Sequence, residues 1–250
     1  MTRVIGVVSG KGGVGKTTVV ANMGAALSHY YKKDVTIIDC NMTTSHLGLY
    51  LGMYYTPVTL NQVLKGKLNI RDAVYDHFSG VKLIPSSLSI HDAKNVDIMK
   101  LRKSLKKLMG HTDIIILDSA PGLGREALAT MDSSDEILYT TTPHVPSTID
   151  VVRCHQLVSQ MGKETIGIVL NMVGQEKSEL NKKEVEQLVG LPVISSAPHD
   201  KAVLRSVAAK VPLVMMKPNS PAAKEYIRLA GLIVNEEYKF PNIWDRLFKR

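Results

Sequence analysis

The sequence predicts a doubly wound α/β protein, a mostly parallel sheet flanked by helices. Three observations carry that prediction. Short β-branched apolar runs alternate with helical patterns along the chain. Two of those runs end in an aspartate, where open α/β sheets hold their ligand crevice. The first run opens into a glycine-rich loop, Gly10 to Thr18, reading GKGGVGKTT. With 250 residues, 44% hydrophobic and 22% charged, the chain can fill the core of one large domain.

Val4 to Val8 reads as a buried strand, and Thr17 to Tyr30 carries a helical stripe through Val20, Met23, Leu27 and Tyr30. Between them lies the pattern Gly, four residues, Gly-Lys-Thr in the setting a phosphate loop requires. Gly10, Gly12, Gly13, Val14 and Gly15 bring backbone N–H groups around a β-phosphate, with Thr18 closing the loop. Lys16 reaches the β and γ oxygens, and Thr17 offers its hydroxyl to Mg²⁺. The expected ligands are a nucleoside triphosphate and Mg²⁺.

Val35 to Asp39 is a second strand, ending in a carboxylate that is a candidate for the Mg²⁺ shell or the attacking water; a simple turn cap is the plainer reading. Asn41 follows two residues on. His46 to Gly52, Leu60 to Gly66 and Asn69 to Tyr75 read as short helices, and Val81 to Pro85 as a strand. From Asp97 to Met109 an apolar stripe (Ile98, Leu101, Leu105, Leu108, Met109) predicts a helix. Its other faces carry Lys100, Arg102, Lys103, Lys106 and Lys107, either a solvated face or an anion-binding patch.

Asp113 to Asp118, DIIILD, is the second strong signal: a buried central strand holding a carboxylate beside a metal. Asp118 is assigned to Mg²⁺ through water. In the following turn, Gly122 can bring its N–H to a γ-phosphate; the alternative is an ordinary strand-to-helix turn. Strands are then expected at Glu136 to Thr140, Ile166 to Leu170 and Val193 to Ile194. Helices are expected at Pro146 to Met161, Lys182 to Val189, Lys201 to Ala209 and Pro221 to Asn235.

The division expected is a P-loop nucleotide-binding domain over 1–235 and, over 236–250, a spacer with an amphipathic helix. On an ideal helix Phe240, Ile243, Trp244, Leu247 and Phe248 fall within an arc of about 140°. Basic residues flank this arc, and the segment holds the only Trp and two of the three Phe residues. Such composition suits an interfacial membrane helix better than a core helix, and the alternative is docking onto the protein's own body or a partner.

No stretch approaches the ~18 apolar residues of a membrane span. Together with the absence of a signal pattern, this leads us to expect a cytoplasmic protein, reversibly peripheral to the inner face of the cell membrane. The net charge of +8 favours anionic partners, phospholipid or nucleic acid. The two cysteines, Cys40 and Cys154, have neither disulfide-framework nor metal-site spacing.

These residues resemble the MinD/ParA family of deviant Walker A P-loop ATPases, whose mark is an extra lysine early in the loop, here Lys11. Asp39-Cys40-Asn41, the DSAPG turn, Pro198-His199-Asp200, KPNSPAAKEY from Lys217 to Tyr226 and the amphipathic C-terminus look like the MinD branch. The similarity spans nearly the whole chain.

The resemblance implies an ATP-dependent homodimer in which Lys11 crosses to the partner's phosphates. It further implies an adenine site at Asn171, Pro198 and Asp200, and an activator or cargo protein. One departure bears on catalysis. The family usually carries a second Asp two residues after the first, positioning the hydrolytic water, and this chain has Asn41. An amide orients water but does not accept its proton, so slow hydrolysis is expected.

The tail and the loop belong together by magnitude. Burying five large apolar side chains contributes at most roughly 7–15 kcal/mol, whereas ordering about ten residues costs on the order of 10 kcal/mol. One tail therefore binds weakly, and two on one dimer raise avidity by ~10²–10⁴. The leading reading is a MinD-type membrane ATPase that positions cell-division or other machinery. The alternatives are a DNA-segregating ATPase, on the basic charge, and a non-hydrolysing nucleotide-gated scaffold, on Asn41.

Overall fold

The computed structural model describes residues 2–240. Eight strands are formed among the described residues: β1 Arg3–Val8, β2 Val35–Asp39, β3 Tyr75–Asp76, β4 Lys82–Ile84, β5 Ile114–Asp118, β6 Glu136–Thr141, β7 Glu164–Val173 and β8 Val193–Pro198. They make one sheet in the order β3-β4-β2-β5-β1-β6-β7-β8, and only β3 runs antiparallel to its neighbour.

The helices are α1 Lys16–Tyr31, α2 Leu47–Tyr50, α3 Leu60–Leu64, α4 Ile90–Ala93, α5 Leu101–Leu105, α6 Arg125–Ser133, α7 Val145–Gln160, α8 Lys182–Val189, α9 Lys201–Ala209, α10 Leu213–Met216 and α11 Pro221–Val234.

Both faces of the sheet are covered, and β1 shows it residue by residue. Ile5 and Val7 join the core shared with α1 and α11, whereas Val4 and Val8 pack on the opposite side. Two-sided burial explains why the central strands read as unbroken apolar runs. It also explains α1, which lies under α11 and is buried nearly all round, so its sequence lacks a polar face over Thr18 to Leu27. At Gly24 a Cβ would press on Ile37 at 2.7 Å, so the helix lies as close to the sheet as backbone allows.

Four expectations need correction. The helix expected over Asp97 to Met109 is a 3₁₀ turn, Ile98–Lys100, and the single α-turn of α5. Beyond Leu105 the backbone tightens into i→i+3 bonds (Leu108 N–H to Leu105 O, 2.8 Å) and ends at Gly110. The helix expected over Asn69 to Tyr75 is a 3₁₀ turn, Ile70–Ala73, boxed by Asn69 and Asp72, and Tyr75 instead starts β3. The eighth strand continues through Ser195, Ser196, Ala197 and Pro198 because an edge strand needs only one apolar face, and its burial alternates. Finally, α6 has no counterpart among the expected helices, although a parallel β5-to-β6 crossover demands one.

Candidate functional site

The C-terminal ends of β1, β2 and β5 lie side by side, with Val7 opposite Asp118 and Asp118 opposite Asp39. The loop after β1 wraps toward this edge, and Gly13 and Gly15 hold it open at φ of 82° and 83°, the region that favours glycine. The ammonium of Lys16 reaches the Asp118 carboxylate at 2.5 Å, and both side chains are buried. The Thr17 hydroxyl donates to the other Asp118 oxygen at 2.7 Å. Three side chains singled out in the sequence are therefore in direct contact. Thr17 and Asp118 supply a hard-oxygen pair of the kind Mg²⁺ takes.

Lys11 is exposed, and it lines the same cleft as Lys16 and Thr17. Gly122 has φ 79°, and its N–H is committed to the Ser9 carbonyl at 2.9 Å, stapling the turn after β5 to the loop after β1. A phosphate-sensing role for that N–H requires this hydrogen bond to open.

Asp39 is fully buried and serves as a local cap. Its carboxylate accepts from the Ser45 hydroxyl (2.7 Å) and from the N–H groups of Asn41, His46 and Leu47 (3.0–3.1 Å), so it starts α2 and holds the loop before it. Burial, and then the neighbouring Asp118 charge, push its pKa up to about 6 despite these donors. The plainer reading of Asp39, a turn cap, describes its contacts, whereas Asn41, with Thr44 and His46 of the same loop, faces the cleft. Asn41 is itself tied down: its carbonyl oxygen accepts from Thr44 N–H and hydroxyl at 3.1 Å, and its amide donates to Thr44 Oγ1 at 2.9 Å.

Sequence reasoning missed Glu126. From the first turn of α6 its carboxylate accepts from the Met42 N–H (3.2 Å) and the Thr43 hydroxyl (2.8 Å), linking the segment after β5 to the loop that carries Asn41. The signal that could have found it is an acidic residue in a helical first turn just after the turn at Gly122.

A cleft of about 400 Å³ runs over Lys11 to Thr18 and Asn41. Beside it lies a mainly apolar cavity of about 190 Å³, bounded by Met172, Pro198, Asp200, Leu204 and Tyr226. Asp200 caps α9 through the Ala202 N–H (2.8 Å), and its other oxygen, though buried, has no hydrogen-bond partner among the described residues. Asn171 lines the cavity, and both ends of its amide already have protein partners.

Phe240 is half-buried against α11, 5.7 Å from Lys224 Nζ and 5.6 Å from the Arg228 guanidinium, and it stacks edge-on with Tyr238. Ile243, Trp244, Leu247 and Phe248 lie outside the described residues. None of the described helices is long and apolar enough to cross a membrane. The five basic side chains between Lys100 and Lys107 are all exposed. Cys40 and Cys154 are fully buried in separate cores, and burial raises both thiols, Cys154 to about 11.

A parallel sheet whose central strand opens into this loop, with a strand-end aspartate on the loop's lysine and threonine, defines a P-loop nucleoside triphosphatase. Residues 1–234 match the ParA family, described as "NUBPL iron-transfer P-loop NTPase". An uncharacterized ATP-binding protein of Methanocaldococcus jannaschii is 35% identical over 96% of this chain and 90% of its own length. The cell division ATPase MinD of Pyrococcus furiosus superposes with a TM-score of 0.91 at 33% identity, covering 94% of this chain and 99% of that one. MinD of Pyrococcus horikoshii, solved with Mg-ADP, gives 0.90 at 31% identity over 93% and 96%. The chain belongs to the ParA/MinD family of P-loop NTPases, and these neighbours place it with the MinD branch.

Proposed function

We propose that this protein is a MinD-type ATPase in which ATP binding drives pairing of two copies and attachment of the pair to an anionic membrane surface. The observation that carries this reading is the contact of Lys16 and Thr17 with Asp118 beneath an exposed Lys11. Thr17 and Asp118 would hold Mg²⁺, which offsets the charge of the β and γ phosphates.

The N–H groups from Gly12 to Thr18 cradle the phosphates, and Lys16 exchanges Asp118 for phosphate oxygens. The apolar cavity, which Asp200 lines, receives adenine. Lys11, exposed along the lining of the cleft, reaches the phosphates of a second copy. Asn41 orients water without taking its proton, so turnover is slow unless a protein activator intervenes.

In this reading residues 1–235 are the ATPase unit. Residues 236–250 are a spacer and membrane helix whose apolar face includes Ile243, Trp244, Leu247 and Phe248. The protein would sit at the inner face of the cell membrane and position division or other machinery. Iron transfer, named in the family description, is not supported by this chain's donor set: its two cysteines are buried in different cores. The exposed Lys100–Lys107 cluster favours non-specific DNA binding as a second reading.

Co-sedimentation with anionic liposomes in ATP, ADP or no nucleotide, with and without residues 240–250, tests the proposal. ATP-dependent binding lost with the tail supports it. Equal binding in every nucleotide state refutes it, and ATP-dependent binding to plasmid DNA independent of the tail would replace it with the second reading.

A further inference from the structure

Tyr226 lies on α11, far in sequence from the phosphate loop, and is 1% exposed. Its hydroxyl donates to Asn171 Oδ1 at 3.0 Å, and Asn171 Nδ2 donates to the Val14 carbonyl at 2.9 Å. The Val14 carbonyl can only accept, so it takes the Nδ2 end of the amide and leaves Oδ1 to the Tyr226 hydroxyl, which anchors the far end of Asn171. Burial raises the Tyr226 pKa above its ordinary value, so the hydroxyl remains a donor at physiological pH.

A trans peptide carries its C=O and N–H on opposite sides. Drawing the Val14 carbonyl back toward Asn171 therefore turns the Gly15 N–H away from Asn171, toward the open side of the loop where a phosphate oxygen would sit. Contact is close as well: Gly15 sits at φ 83°, and a Cβ there would collide with the Asn171 amide. From these contacts we infer that Tyr226 is a positioning residue for the phosphate loop, acting through Asn171 on the Val14–Gly15 peptide. The inference rests on the nucleotide reading above and adds a residue to it that touches no phosphate.

Binding of Mg-ATP, Mg-ADP and Mg-tripolyphosphate to the full-length protein, to Tyr226→Phe, to Asn171→Ala and to the double variant tests it. Losing one buried hydrogen bond should weaken all three ligands by roughly 3- to 10-fold in Tyr226→Phe. In the Asn171→Ala background the same change should add less than about two-fold, since the hydroxyl then has nothing to act through. Should Asn171→Ala not fold, Asn171→Thr serves in the cycle.

Unchanged affinity in Tyr226→Phe, or an equal loss with and without Asn171, overturns the inference. So does a loss confined to ATP and ADP that spares tripolyphosphate, because that pattern marks damage to the neighbouring apolar cavity. Failure of the unaltered protein to bind ATP at all would instead refute the nucleotide reading.

Discussion

Asp39 and Asp118 stand opposite each other at the ends of adjacent strands, yet their carboxylates serve different partners. Asp118 engages Lys16 and Thr17, whereas Asp39 faces Ser45 and three backbone N–H groups. A first prediction concerns pH. With Asp39 raised to about 6 in the folded state, the native protein binds more protons than the unfolded chain between about pH 4 and 6. The Asp39 contribution should therefore lower stability as pH rises through that window, by at most about 3 kcal/mol. Denaturant melts of the nucleotide-free protein across pH 4–7, compared with Asp39→Asn, check this. A slope unaffected by the substitution contradicts it.

Lys16 and Lys11 should separate cleanly. Lys16→Ala leaves the Asp118 carboxylate buried without its cation and should cost about 3–5 kcal/mol together with ATP binding. Lys11→Ala changes an exposed side chain, so stability should move by less than about 0.5 kcal/mol. ATP binding should survive while the ATP-dependent pair is lost, as read by light scattering after gel filtration.

Asn41→Asp should accelerate phosphate release by about ten-fold or more, because a carboxylate can accept the proton that an amide cannot. The new side chain keeps the bonds accepted from Thr44 and loses only the one donated to it. Phosphate release measured with liposomes present decides. An unaltered protein already turning over at ordinary ATPase rates would show that Asn41 is no brake.

Glu126→Ala should loosen the loop at Met42 and Thr43 while lowering global stability by only about 1–2 kcal/mol. Hydrogen exchange at Met42 to Thr44 should speed up, with β5 and α1 unchanged. Uniform speeding across the sheet would instead indicate general destabilisation.

How much of this was legible in the sequence depends on the range of each signal. The loop after β1, its flanking strand and helix, and Asp118 could be read directly, because a phosphate cradle and a buried strand are local patterns. The helices expected over Lys182 to Val189 and Lys201 to Ala209 coincide with α8 and α9, whose first turns are capped by Asn181 with Glu184 and by Asp200. What could not be read was settled between distant segments. The four donors on Asp39 come partly from a loop whose path depends on Glu126, 87 positions away in α6. Asn171 meets Val14 only once β7 lies beside the loop, and Phe240 meets Lys224 only because the chain doubles back along α11. The α6 helix escaped notice because it is weakly hydrophobic, although the handedness of parallel crossovers requires a helix there.

Both native thiols are enclosed and held far from their ionised form, Cys40 beside the β2 edge and Cys154 inside α7. Because only thiolate reacts readily with maleimides, the folded chain is a dark background for labelling. A single cysteine introduced at an exposed position such as Lys239 would carry a fluorophore at the root of the C-terminal segment, with no native residue first removed.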